Sequence, residues 1–374
     1  MVLRQRRWSY RLHHGELEMR HTRFALIAAV VAVLLSVTVS SGFASTPPKT
    51  GVITQFNLPP PHGPFNITVG PDGNMWFTIV TPCCETPNFD IGMLTPSGQF
   101  TGFHVPTPPS SGNIVTGPDG RLWFFDGAGA NVAAMDTLGN VTEYPVPPVQ
   151  LTSGPANVSP NALTLGPDGA LWFTAFVESP CCGEPTTAVG RVDTGGGFTE
   201  FVLPSLASEL GAITTGPDGA LWFTDNSFSG AGNIGRLTTA GAFTSFPTPE
   251  KNGFTEPAGL AVGPDHNLWF PDAELNTINR MTTSGKVTAF PLKSGNPGPA
   301  GIIAGPDGAM WFSESNINAP GLGRITMQGK ITEIAPPNPD DSGGVGLSTG
   351  PPSMPHTVWF TQQRSNDIDF ITTK

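Results

Sequence analysis

Positive charge is scarce in this sequence and nowhere clustered. Lys and Arg number 18 among 374 residues, against 29 Asp and Glu. Such a chain repels a phosphate backbone, which excludes nucleic acid as a partner. Helical periodicity is missing too, while β-branched and aromatic runs bounded by Gly and Pro recur throughout. The 46 Gly and 40 Pro could signal disorder, but 24 Phe and 8 Trp supply ample core material. No apolar run reaches the ~20 residues that a membrane helix needs. The run that exists, FALIAAVVAVLLSV at 24–37, has 14.

That run belongs to a leader. Arg20 and Arg23 precede it, and small residues Gly42 and Ala44 follow at a cleavage-like position. A signal peptide is expected over 1–44, with Met19 an alternative start. No Cys follows the run to anchor a lipid. Export to a secreted or periplasmic location is expected, with no stable membrane span after cleavage; a retained tether is the alternative. The leader takes six of the basic and two of the acidic residues, leaving 12 basic and 27 acidic, a balance of −15.

What remains, 45–374, is periodic. GPDG followed by a Trp-Phe phrase recurs, with Trp at 76, 123, 172, 222, 269, 311 and 359, spaced 42 to 50 residues apart. In the seventh copy GPPSMPHT stands before the Val-Trp-Phe. Each unit holds four β-like stretches, in the fourth copy 212–216, 220–225, 233–239 and 242–249. Four antiparallel strands repeated seven times predict an all-β, seven-bladed β-propeller forming a single domain. The stretch GVITQFNLPPP at 51–61 matches a fourth strand, whereas the last unit stops after its third. The N-terminal strand is therefore expected to complete the last blade. Nothing in the sequence suggests an obligate oligomer, and a monomer is expected.

In such blades, the loops after strand two and those entering strand one open on one face, where recognition is expected. The residue three after each Trp ends strand two. Four of these seven positions are carboxylates, Asp126, Asp225, Asp272 and Glu314. They are candidates for a hard-cation site, for capping loop amides, or for plain solvation. The position two before each strand-one aliphatic residue carries no acid or base: Phe65, Gly112, Asn161, Gly211, Ala258, Ala300 and Val345. Histidines outside the leader are His62, His104, His266 and His356, the last two in turns on the opposite face. Cys83-Cys84 and Cys181-Cys182 sit in enlarged loops after strand two of the first and third units. After export they are disulfide candidates. Adjacent-residue bonds fit the separation of the two loops, while cross-links between the loops and a four-thiolate metal site are the alternatives.

The unit pattern resembles the virginiamycin B lyase (streptogramin lyase) family over essentially all of 51–374. The likeness is closest in GAITTGPDGALWFTDN with NIGRLTTAGAFTSFP, and in GPAGIIAGPDGAMWFSESN with GLGRITMQGKITEI. The resemblance implies a seven-bladed propeller and Mg²⁺-dependent carbon–oxygen elimination that opens cyclic streptogramin B depsipeptides, an antibiotic-resistance activity. It also implies a catalytic His base in P-H-A-I and E-P-H-G-I phrases, with acids assisting Mg²⁺. Here the phrases read Glu256-Pro257-Ala258-Gly259-Leu260 and Gly298-Pro299-Ala300-Gly301-Ile302, so Ala258 and Ala300 replace His. Alanine takes no proton. Glu256, Asp272 and Glu314 remain as candidate metal ligands. Three functions follow: an exported propeller binding a small molecule, glycan or peptide; a divergent lyase with a relocated base; or a cell-surface interaction scaffold.

Overall fold

The computed structural model describes residues 35–37, 50–59, 63–79, 90–107, 109–126, 131–151, 154–178, 186–204, 208–227, 232–249, 255–293, 298–315, 321–335 and 346–373. Every regular element among them is a β-strand, arranged as seven antiparallel sheets. These are the seven blades of a propeller, each built around four strands. The fourth is typical: Ser208–Thr215, Leu221–Ser227, Asn233–Leu237 and Phe243–Pro247 pair in that order. Two sheets carry a fifth strand. Leu35–Val37 pairs with Phe100–Gly102 on the first, and Val149–Leu151 with Gly154–Ala156 on the third. No helix among the described residues is long and apolar enough to cross a membrane. The Cys83-Cys84 and Cys181-Cys182 pairs and His62 lie outside the described residues.

The Trp-Phe phrase is apolar throughout because each blade is covered on both sides. Trp76 packs into the second blade with Ile114, Leu122 and Phe124, while Phe77 packs back onto Trp359 and Phe370 of the seventh. Alternate residues of one strand thus serve two interfaces, each side chain contributing roughly 1.5–3 kcal/mol by burial.

GPDG is more than a turn. Asp218 Oδ1 accepts the Trp222 indole N–H at 2.9 Å, and Oδ2 accepts Arg236 Nε at 2.7 Å. The indole–carboxylate bond recurs in Asp72–Trp76, Asp119–Trp123, Asp168–Trp172, Asp265–Trp269 and Asp307–Trp311, at 2.8 to 3.0 Å. The first glycine of the phrase is required by the indole: a Cβ on Gly216 would lie 2.2 Å from Trp222 Cδ1. In the seventh blade, where the phrase is lost, Trp359 donates to Thr357 Oγ1 at 2.9 Å instead.

Closure of the ring is as expected. Ile53–Asn57 pairs with Asp367–Thr372 as the outer strand of the seventh blade. The second strand of the seventh blade also reaches the innermost strand of the first, Thr361 Oγ1 donating to Phe65 O at 2.7 Å.

Candidate functional site

A repeated irregularity shapes the loop face. In strand one, one extra residue (three in the second blade) bulges between the position opposite the strand-two end and the next paired aliphatic. The shifts fall between Pro64 and Ile67, Pro109 and Ile114, Pro160 and Leu163, Leu210 and Ile213, and Pro299 and Ile302. Bulges re-aim side chains and expose backbone polar groups that need partners. The hydroxyl two after the Trp supplies them. Thr174 Oγ1 accepts Ala162 N at 3.1 Å and donates to Gly211 O of the next blade at 2.8 Å. Thr361 likewise accepts Gly346 N at 3.1 Å and donates to Phe65 O. The fifth blade has Pro271 here; Ala258 N bonds Pro271 O directly at 3.1 Å, and the first strand shortens to Ala261–Val262.

The bulges surround a central well of about 480 Å³. Its wall is uneven. Asn66, Asn113 and Asn161 line the side of blades one to three, whereas Gly211, Ala258, Gly259 and Gly301 line that of blades four to six. Two of the amides bridge blades: Asn113 Oδ1 accepts Leu163 N at 3.2 Å, and Asn161 Nδ2 donates to Leu210 O at 2.7 Å. Among the described residues, every side chain lining the well is apolar or an amide, and none of these takes up a proton at ordinary pH. Ala258, where the resemblance would place a His, is at the wall. Ala300 is not; its carbonyl accepts Gly259 N at 2.8 Å.

The four strand-end carboxylates do not line that well. Asp126, Asp225, Asp272 and Glu314 are buried, the most accessible by 4%, at blade interfaces. The reason is the strand they occupy: both faces of a second strand are covered by neighbouring blades, whereas the well is lined by first-strand residues. Burial rules out plain solvation. Asp272 Oδ1 accepts Leu275 N at 2.9 Å and Glu256 N at 3.3 Å, and Asp126 Oδ2 accepts Asn131 Nδ2. Burial raises the Asp272 carboxyl above the usual range despite these amides. Glu314, desolvated and facing the charge of Glu333, is raised to about 7.

Among the described residues, no three His, Cys, Asp or Glu side chains are placed to hold one metal ion. Glu256, Asp272 and Glu314 therefore do not form a three-carboxylate cage. Glu256 and Asp272 do share a corner: the Glu256 side chain is exposed, and Asp272 Oδ2 is buried with no hydrogen-bond partner. The unpartnered Asp272 oxygen is a hard donor of the type that Mg²⁺ takes, with the backbone of Glu256 held beside it.

One pair went unnoticed in the sequence. His104 Nδ1 lies 3.4 Å from Asp90 Oδ2 on the same face, with the imidazole half exposed and Asp90 buried. Burial raises Asp90, with Val105 N (3.0 Å) and His104 pulling the other way. Asp90 and His104 flank the third and fourth strands of their blade, away from the innermost strands that form the well. Their 14-residue separation hid the pairing. His266 and His356 occupy turns on the opposite face, where His266 takes a φ of 56°.

The virginiamycin B lyase family model matches residues 46–157 and 149–374. Among solved structures, a catalytically inactive histidine-to-alanine variant of virginiamycin B lyase from Staphylococcus aureus with quinupristin is 29% identical. It superposes with a TM-score of 0.70, covering 86% of this chain and 99% of that one. A streptogramin B lyase structure is 30% identical, with a TM-score of 0.69, over 86% of this chain and 98% of that one. Puromycin hydrolase, at 15% identity and a TM-score of 0.59 over 80% of this chain and 50% of that one, shares the fold alone. No curated protein matches in sequence. With both segments matched and the seven-bladed ring in place, the chain belongs to the virginiamycin B lyase family.

Proposed function

We propose that this chain is an exported, monomeric member of the family that binds a neutral small molecule, glycan or peptide at the central well and does not carry out the elimination. The observation that carries the reading is the wall of the well, where, among the described residues, Ala258 and its neighbours offer no proton acceptor. An elimination needs one within about 3 Å of the proton removed. The Staphylococcus aureus relative with alanine in place of a histidine is catalytically inactive; this chain has alanine at two such positions, Ala258 and Ala300. The amide side of the well suits hydrogen bonding to a neutral, polar ligand.

Glu256 and Asp272 would hold Mg²⁺. Bound there, the ion would polarise a ligand carbonyl or ester oxygen. Asp272 supplies a buried oxygen and Glu256 an exposed one, while the Leu275 amide keeps the Asp272 carboxylate oriented. The second reading, a lyase with a relocated base, draws on Glu314, whose raised carboxyl would be partly ionised at neutral pH. Its burial outside the well disfavours this. An interaction scaffold would leave the well without a ligand.

Calorimetric titration with a streptogramin B depsipeptide separates the readings. Binding that disappears in Ala258→Trp, a variant that fills the well, supports the proposal. No binding, or binding unchanged in the variant, contradicts it.

A further inference from the structure

Four successive blade interfaces share one lock on the face opposite the well. In each, a strand-four aromatic stacks on the Trp of its own blade: Trp123–Tyr144, Trp172–Phe201, Trp222–Phe246 and Trp269–Phe290, with centroids 5.3 to 5.6 Å apart. The hairpin glycine of the next blade closes over that ring. A Cβ on Gly196, Gly241, Gly285 or Gly329 would meet it at 2.3 to 2.9 Å. The same hairpin feeds a carbonyl to the Arg beside the Trp: Arg121 donates to Thr194 O at 2.8 Å, and Arg280 to Met327 O at 3.1 Å.

At the interface of the sixth and seventh blades both parts are absent among the described residues. Ile334 stands in the register position of the ring, opposite Leu322 as Phe246 is opposite Ile234. The seventh blade has no hairpin between its third and fourth strands, because the chain's two ends meet there, Gly51 N to Thr372 O at 2.9 Å. The Trp and Arg are nonetheless clamped as elsewhere: Asp307 takes Trp311 Nε1 at 3.0 Å and Arg324 Nε at 2.6 Å. A cavity of about 270 Å³ results, bounded by Trp311, Arg324, Asp307 and Ile334 on one side and Gly51 and Thr373 on the other.

We propose that this seam cavity is a binding site for a small neutral aromatic compound with an acceptor oxygen close to its ring, such as an arylacetamide. The other interfaces define the occupant. A ring would lie where Tyr144, Phe201, Phe246 and Phe290 lie, over the indole of Trp311. Its carbonyl would stand in for the missing hairpin carbonyl, receiving the terminal N–H groups of Arg324. The Asp307 carboxylate beside the guanidinium disfavours an anion and selects the neutral acceptor. The site depends on no property of the central well.

Phenylacetamide is the probe, with cyclohexylacetamide as a control of similar size lacking the π-face. For a ligand this small, binding to the full chain is expected on the order of millimolar. One Trp indole N–H resonance should shift saturably, and the control should bind roughly tenfold more weakly. Ile334→Phe, which supplies the ring from the chain itself, should abolish binding and raise the melting temperature. A melting-temperature rise of the unaltered protein with probe serves if that variant fails to fold. The proposal is overturned by no saturable shift and no thermal effect, by equal binding of the control, by binding that survives Ile334→Phe, or by loss of binding in Ala258→Trp.

Discussion

Trp222 donates its indole N–H to Asp218 Oδ1 at 2.9 Å, so the side chain that fills a blade interface is held by the turn that precedes its strand. The repeated phrase is thus a unit of mutual positioning: the turn carboxylate fixes the indole and, through Arg236, the third strand. Asp218→Ala would leave a buried indole N–H unpaired and the guanidinium unpartnered. It should cost roughly 1–3 kcal/mol, read as a lower denaturation midpoint in urea at unchanged slope.

The same carboxylates predict an acid limb. Burial raises Asp119, Asp168, Asp218, Asp265 and Asp307, but the Trp hydrogen bonds, with Arg or Asn and backbone contacts, outweigh it and leave each below its ordinary value. A depressed carboxyl stabilises the fold above its unfolded value near 3.8, and that contribution is lost as pH falls through the folded value. Melting temperature should therefore decline steeply below about pH 4, and less steeply in Asp218→Asn.

Glu314 runs the other way. Its folded value, about 7, exceeds the ordinary 4.5, so the fold favours the protonated form. Stability is lost as pH rises from the unfolded value toward the folded one. Glu314→Gln should match the parent near pH 4.5 and exceed it at pH 8 by on the order of 1–3 kcal/mol. A pH-independent difference would show that Glu314 does not titrate in this way.

Thr361 tests ring closure. Thr361→Val keeps the shape but removes the acceptor for Gly346 N and the donor to Phe65 O. A loss of roughly 1–3 kcal/mol is expected. Amide exchange should quicken first in Ile53–Asn57 and Asp367–Thr372, where the two ends of the chain pair.

Gly235 faces the Phe223 ring, which a Cβ would approach to 2.1 Å. Gly235→Ala should cost roughly 1–3 kcal/mol, read by thermal melting. The fifth and seventh blades carry Asn279 and Asp369 in this register, both fully buried, so the interval is not uniform around the ring.

The architecture was legible because Trp recurs at blade-length intervals and because residues 51–61 resemble a fourth strand. The chemistry of GPDG was only half legible. Asp218 reads as a turn residue, but its partners are a Trp four positions on and an Arg 18 positions on, and only the fold shows that they meet. For Asp126, Asp225, Asp272 and Glu314, sequence placed each along its strand and at the correct end of the blade. They belong to second strands, whose two faces are both covered by neighbouring blades, so they are buried away from the well that first-strand residues line. The wall of the well comes from the bulged first strands, whose extra residues follow no simple alternation. Ala258 was legible there through the strand-one register and the family phrase, whereas Asn66 and Asn113 were not.

The most direct test of the central claim is the mass of a streptogramin B depsipeptide after incubation with the chain and Mg²⁺. A well whose described wall carries no proton acceptor predicts recovery of the intact ring, bound and released unchanged. Ring-opened product that forms with the chain and disappears when the Mg²⁺ is chelated would contradict it.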